Sequence, residues 1–104
     1  MILYEVCVEV RDDLLVAFER YMREKHLPEI WNTGCFEQIR FEHTQTPVQE
    51  SSRIYRTCYQ AATMADYDRY LELHASEMRA DFMLHFPEGC TPSRRVWQAL
   101  QNWA

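Results

Sequence analysis

The sequence of 104 residues has very little glycine and lysine: glycine occurs at two positions, and Lys25 is the single lysine. Two glycines cannot build a glycine-rich loop that cradles phosphates, which argues against the common nucleotide-binding motifs. The remaining basic residues are arginines that form no run or stripe, and the net charge is -5. We therefore expect neither nucleic acid nor an anionic membrane surface as a partner.

Long apolar runs are also missing, and no stretch approaches the length of a membrane-spanning helix. The N-terminal segment MILYEVCVEV lacks the basic start and long apolar stretch of a signal peptide. The cysteines are too far apart in the sequence for a C-x-x-C metal or redox motif; they are Cys7, Cys35, Cys58 and Cys90. We expect a cytoplasmic protein with reduced thiols, folded as a single domain over residues 1–104.

The hydrophobic pattern predicts four strands and two helices in the order βαββαβ. The predicted strands cover residues 2–10, 35–43, 53–61 and 93–101, and the predicted helices cover 12–26 and 63–86. Pro28 should end the first helix near His26, followed by one further turn packed by Ile30 and Trp31. The polar stretch 44–52 is predicted to be a turn. The last strand is predicted from topology, because its apolar residues also fit a helical stripe.

Two consecutive βαβ units predict an α+β, ferredoxin-like fold, with a four-stranded antiparallel sheet and both helices on one face. The helix-facing residues are expected to be the even positions of the first strand with Ile39, Phe41, Tyr55 and Tyr59. The opposite face is expected to carry Leu3, Glu5, Cys7, Glu9, Phe36, Gln38, Arg40, Arg56 and Cys58. That face mixes acids, arginines, cysteines and an aromatic residue, which is unusual for a solvated sheet face.

Burial between two copies of the chain would explain this mixture, so we expect a homodimer with the two sheets packed face to face. The candidate interface residues are Glu5, Cys7, Arg40 and Arg56. Glu5 or Glu9 is expected to pair with one of the two arginines. Such pairs penalise wrong registers, because an unpaired buried charge is costly.

Three segments, MILYEVCVEV, EKHLPEIWNTGCF and YDRYLELHASEMRADFMLHF, resemble a family of short bacterial proteins of unknown function in the dimeric α+β barrel superfamily. The resemblance covers residues 1–86 and implies a dimeric barrel. The wider superfamily includes cofactor-free oxygenases, haem-binding and haem-degrading proteins, and small isomerases. Their functional residues do not map onto this chain through a motif, so the resemblance implies a fold and leaves the activity open.

A ligand pocket is predicted between the helices and the sheet, because aromatic side chains with a few polar groups suit planar apolar ligands. The candidate lining residues are His26, Trp31, Tyr4, Tyr55, Tyr59 and His74. Each has a structural alternative: His26 as the C-terminal cap of the first helix, His74 as a hydrogen-bonded core residue, and the aromatic residues as a filled core.

No catalytic motif occurs, and whether the protein is an enzyme is left open. The first hypothesis is a homodimer that binds a small apolar or aromatic ligand, or that has a structural or regulatory role. The alternative is a cofactor-independent oxygenase or isomerase that uses His26 or His74 with nearby tyrosines. We expect no cofactor and no metal. Haem would need His26, His74 or His85 as an axial ligand, and a metal would need His74, Glu77 and Asp81; no motif supports either.

Overall fold

A computed structural model describes residues 1–46 and 51–104. The strands are β1 (Ile2–Arg11), β2 (Gln38–His43), β3 (Ser52–Ala61) and β4 (Cys90–Gln98). They form one antiparallel sheet in the order β2-β3-β1-β4. The predicted α+β, ferredoxin-like fold is confirmed. Residues 47–50 of the predicted turn lie outside the described residues.

Two helical segments connect the strands, and each contains a π-helical turn between two α-helices. The first consists of a 3-10 turn (Asp12–Leu14), α1 (Leu15–Tyr21), a π turn (Met22–His26) and α2 (Leu27–Trp31). The second consists of α3 (Met64–Tyr70), a π turn (Leu71–Ala75) and α4 (Ser76–His85). No helix in the described ranges is long and apolar enough to cross a membrane.

The alternation of β1 directs its even residues into the core, as predicted. Ile2, Tyr4 and Val10 are buried, and so are Tyr55 and Tyr59 on the neighbouring β3. The other face, called here the outer face, is covered by no element of the described chain. Three rows of paired residues define the outer face, and each row runs across the strands in the order β2, β3, β1, β4. The first row is Gln38, Gln60, Leu3 and Trp97; the second is Arg40, Cys58, Glu5 and Arg95; the third is Glu42, Arg56, Cys7 and Ser93.

The start of the second strand was predicted too early. β2 begins at Gln38 instead of Cys35, after a turn in which Gly34 has a φ of 73°. Phe36 was predicted on the outer face but is buried, with its ring 5.2 Å from that of Tyr59 and 5.0 Å from that of Tyr70. It precedes the strand, so the two-residue alternation does not apply to it.

The first helical segment does not end before Pro28, which corrects the prediction. Within the π turn, the Leu27 backbone N–H donates to the Met22 carbonyl five residues back. Pro28 then lies in the first turn of α2, where a missing N–H costs little. Ile30 is buried, but Trp31 is 50% exposed and does not pack the turn as expected.

The second helical segment begins as predicted, since the Thr63 side chain accepts a hydrogen bond from the Asp66 backbone N–H. Its buried residues do not keep a uniform helical spacing. Leu71 is 37% exposed, while Tyr70 and Ala75, five residues apart across the π turn, are buried. The extra residue in the π turn changes the direction in which all later side chains point. Residues beyond the turn therefore lie on a different face from the one that a uniform α-helix would give them.

The C-terminal segment is a strand, as topology required, but β4 starts three residues earlier than the predicted residue 93 and ends at Gln98. The chain beyond it has no regular secondary structure. Leu100 and Trp103, which suggested a helical stripe, are 92% and 86% exposed.

Candidate functional site

A small cavity, the inner cavity, lies between the two helical segments and strands β1, β3 and β4. Its polar lining residues are Tyr4, His26, Thr57, Tyr59, Tyr70, Arg79 and Arg94, and its apolar ones are Val6, Val8, Met22, Ile30, Met78, Phe82 and Pro92. Its volume is about 40 Å³. That is enough for water, which needs roughly 10–15 Å³, but far below the ~300–1,000 Å³ of ligand pockets.

His26 enters the cavity from the π turn of the first helical segment. Its Nδ1 lies 3.2 Å from the Tyr21 hydroxyl oxygen, and that hydroxyl donates to Asp81 Oδ2 at 2.7 Å. Since the single hydroxyl proton is used on Asp81, Nδ1 must carry a proton and donate it to Tyr21. The remaining nitrogen, Nε2, is then a proton acceptor.

The π turn makes this contact possible. Residues five apart do not share a face of an α-helix, whereas i to i+5 bonding places them on one face. Tyr21 and His26 are such a pair, and their rings stack with centroids 5.3 Å apart. The local winding of the helix therefore positions the histidine.

Burial lowers the pKa of His26 to about 4, although Asp81 and Glu29 oppose this shift. The imidazole is therefore neutral at pH 7. The hydrogen bond from Tyr21 lowers the pKa of Asp81, and Lys25 Nζ lies 3.2 Å from its Oδ2. His26, Tyr21 and Asp81 thus form a chain from a neutral base to a carboxylate that stays charged.

Three tyrosines, Tyr4, Tyr59 and Tyr70, line the cavity together with His26. The Tyr4 ring lies 5.5 Å from that of Tyr59 and 6.1 Å from that of Tyr70. Arg79 Nη2 donates to the Tyr4 hydroxyl at 3.1 Å. Burial raises the pKa of Tyr59 and Tyr70, so both hydroxyls stay protonated.

Of the six predicted pocket residues, the structure brings His26, Tyr4 and Tyr59 to the inner cavity. Tyr55 is buried elsewhere, against Phe18, and donates to Glu19 Oε2 at 2.6 Å. The other two also lie away from the cavity: Trp31 lines a separate surface groove, and His74 is half-buried beside the Tyr70 ring.

The sequence did not reveal the two arginines or the partners of His26. No motif singles out Arg79, which stands between Met78 and Ala80, or Arg94, which stands in the polar run Ser-Arg-Arg. Tyr21 was given no functional role, and Asp81 was considered only as a metal ligand with His74 and Glu77. Within residues 1–46 and 51–104, no three His, Cys, Asp or Glu side chains are placed to share a metal ion.

The candidate interface residues Glu5, Cys7, Arg40 and Arg56 lie in two adjacent rows of the outer face. Within the chain, Arg56 pairs with Glu42 at 2.7 Å instead of with Glu5 or Glu9. Glu5 accepts a hydrogen bond from Trp97 Nε1 at 3.0 Å. A groove of about 730 Å³ runs over this face, beside the C-terminal residues.

Cys7 and Cys58 lie on the neighbouring strands β1 and β3 but do not face each other. Cys7 lies opposite Arg56 and Cys58 opposite Glu5, so the two cysteines are diagonal neighbours. Both are free, and burial raises the pKa of each thiol. Neither has the lowered pKa of a reactive cysteine.

Residues 1–100 match the family described as DUF4286, a domain of unknown function. The chain belongs to this family. The match confirms the resemblance noted in the sequence. No curated protein matches this DUF4286 chain.

Solved structures similar to the DUF4286 chain share its fold at low sequence identity. An ethyl tert-butyl ether D (EthD) family protein from Bacillus halodurans has a TM-score of 0.70 and 9% identity, covering 96% of this chain and 100% of its own. SnoaB from Streptomyces nogalater, a cofactor-independent oxygenase, has a TM-score of 0.58 and 13% identity, covering 97% and 95%. A protein from Agrobacterium tumefaciens has a TM-score of 0.58 and 10% identity, covering 92% and 91%. These similarities establish the fold alone.

Proposed function

We propose that this DUF4286 protein is a cytoplasmic homodimer that binds a small apolar or aromatic molecule in the inner cavity. The observation that carries the proposal is the neutral His26 beside a wall of tyrosines, with its Nδ1 held by Tyr21. A fixed polar group in an apolar, aromatic surrounding is the usual composition of a small-molecule site.

Ligand entry requires the cavity to widen, because about 40 Å³ does not admit an aromatic ring. The side chains at its mouth suit such a change. Arg79 and Arg94 are exposed, and Met78 is half-buried with an unbranched, flexible side chain. The sheet and the π turn would stay in place while these side chains move.

No resident cofactor is part of the proposal. A porphyrin is far larger than the inner cavity, whose volume is about 40 Å³. A Soret shift on addition of haem that is removed by His26→Ala, His74→Ala or His85→Ala would contradict the proposal that the protein has no resident cofactor.

The alternative function is a cofactor-independent oxygenase or isomerase with His26 as the general base. The specific observation in its favour is the Tyr21–Asp81 link, since a carboxylate at the far end of a histidine hydrogen bond stabilises the imidazolium formed on proton transfer. The fold similarity to SnoaB is consistent with this alternative. Either reaction would begin with removal of a proton from carbon by Nε2.

Binding is tested by titrating phenol, indole and 1-naphthol into ¹⁵N-labelled protein. We expect saturable shifts of the Tyr4, His26 and Tyr59 amides. Val6→Phe, which fills the cavity from β1, should abolish them, while Val16→Phe at an 81% exposed site should not. Shifts confined to the outer face, or unchanged binding by a folded Val6→Phe variant, would contradict the proposal.

Catalysis is tested separately, by deuterium exchange of the enolisable ketone 2-tetralone in D₂O. If His26 is the base, His26→Gln should lower the protein-dependent rate by about 10²-fold or more. His74→Gln, which changes a histidine outside the cavity, should leave the rate unchanged. An equal rate with and without protein would refute the alternative and leave the binding proposal standing.

A further inference from the structure

The charge of the inner cavity differs in sign from that of the whole chain. The chain carries a net charge of -5, yet among the described residues no aspartate or glutamate lines the cavity. Two arginines do, and His26, which also lines it, is neutral. A cationic cavity in an acidic protein is therefore a local property of the site.

The two arginines come from different sides of the cavity. Arg79 lies on α4 and is directed inward by its hydrogen bond to the Tyr4 hydroxyl. Arg94 lies on the edge strand β4, opposite Val6, and so on the helix-facing side of the sheet. Both residues therefore line the same small cavity, one from a helix and one from the sheet.

Neither Arg79 nor Arg94 is paired with an acid of the part of the chain that the structure describes. A guanidinium without a carboxylate partner keeps its planar pair of donors available for a ligand, and a carboxylate is the group that matches this fork.

We propose that the ligand of the inner cavity is a small carboxylate with a flat apolar body, whose carboxylate is bound by Arg94 and Arg79 and whose body packs against Tyr4 and Tyr59. This inference rests on the proposed binding function and names the ligand class. Because Arg94 forms no ion pair with the described residues, it can turn from solvent to the ligand at little cost. The Tyr4 hydroxyl, already an acceptor from Arg79, keeps its own proton to donate to a carboxylate oxygen.

The test uses three probes of similar shape and different charge: benzoate, benzamide and benzylammonium. Their dissociation constants are measured by ¹⁵N chemical-shift titration at low salt. We expect benzoate to bind at least about tenfold more tightly than benzamide, and benzylammonium to bind most weakly. Inorganic phosphate, which is an anion without an apolar body, is included as a fourth probe.

Neighbouring positions on β4 provide a matched control. Arg94→Gln should weaken benzoate binding by about tenfold or more and leave benzamide binding unchanged. Arg95→Gln removes the same charge one residue away, on the outer face, and should change neither. Arg79→Gln should weaken benzoate binding as well.

The possible outcomes separate this inference from the binding proposal. If benzamide binds as tightly as benzoate, or if Arg95→Gln and Arg94→Gln weaken benzoate equally, the carboxylate inference is wrong while aromatic binding stands. Phosphate binding as tightly as benzoate would also overturn it. If neither these four probes nor phenol, indole and 1-naphthol shift the cavity amides, the binding proposal itself fails.

Discussion

His26 illustrates how a single residue acquires chemical properties from its position. In the sequence it is one of several histidines near helix ends. In the structure it is half-buried, its Nδ1 is committed to Tyr21, and burial lowers its pKa to about 4. Lys25 and Arg94 disfavour its charged form further, while Asp81 and Glu29 favour it.

This pKa predicts a pH dependence of the free energy of unfolding. Between pH 6.5 and about 4 the unfolded chain binds a proton at His26 and the folded protein does not, so stability is fully present above pH 6.5 and falls as the pH decreases. At ~1.4 kcal/mol per pKa unit, the loss attributable to His26 is about 3 kcal/mol. Urea unfolding between pH 7.5 and 4.5 measures it.

His26→Gln provides the comparison for that experiment. The variant should lack this part of the acid destabilisation and become less sensitive to pH than the parent protein. Asp81 does not cause the same loss of stability in this pH range. Its pKa is lowered from the ordinary value of 3.8, so its contribution to stability is lost only as the pH falls below that value. Identical slopes for the two proteins would show that His26 titrates normally in the folded state.

At the scale of elements, the two π turns account for much of what the sequence did not reveal. The order of strands and helices, the alternation of β1 and β3 and the cap at Thr63 follow from local patterns, and the structure confirms them. The burial of Tyr70 and Ala75 and the Tyr21–His26 contact depend on i to i+5 spacing. A uniform spacing of 3.6 residues per turn does not predict these contacts.

The candidate site was therefore predictable only in part. Tyr4 and Tyr59 lie on strands, where a two-residue period fixes the face, and both line the cavity. Arg79 and Arg94 occupy exposed positions, and nothing local signals that they meet across the helix–strand boundary. Long-range proximity of polar surface residues is set by tertiary packing.

Both glycines lie in connections that precede a strand, Gly34 before β2 and Gly89 before β4, and both have a positive φ. Gly89 has a φ of 81°, and an added Cβ would lie 2.5 Å from Leu14 Cδ1. Gly34 has a φ of 73° and no atom within 4 Å of such a Cβ. Both positions disfavour other residues by about 1–2 kcal/mol for backbone reasons.

Gly34→Ala should therefore lower the free energy of unfolding by about 1 kcal/mol, and Gly89→Ala by clearly more, because it also displaces the Leu14 side chain. Thermal and urea unfolding of the two variants measure the difference. Equal losses would mean that Leu14 moves aside without cost.

At the scale of the whole molecule, the outer face is the principal surface without a partner. Its rows carry acids and arginines together, including Arg40 and Arg95, which form no ion pair within the described chain. In a two-fold contact the same surface meets itself, so a face with both signs of charge can pair unlike charges across the interface. This charge arrangement supports the proposed homodimer.

Native mass spectrometry of the freshly purified protein should give twice the chain mass of 12.6 kDa. Leu3→Arg introduces an unpaired charge in the outer face and should weaken the dimer by about 10²-fold or more, because a buried uncompensated charge costs about 3–5 kcal/mol. Val16→Arg, at an 81% exposed site on α1, is the control. A monomeric parent protein would mean that the outer face is solvated.

The distribution of aromatic residues has a consequence for spectroscopy. All six tyrosines are buried, whereas the three tryptophans, Trp31, Trp97 and Trp103, are 50%, 48% and 86% exposed. Tryptophan emission therefore originates at the surface and should shift little on unfolding, while near-ultraviolet circular dichroism from the packed tyrosines should be lost. Since Trp97 lies in the outer face, a change of its emission with dilution would report assembly in a protein that remains folded.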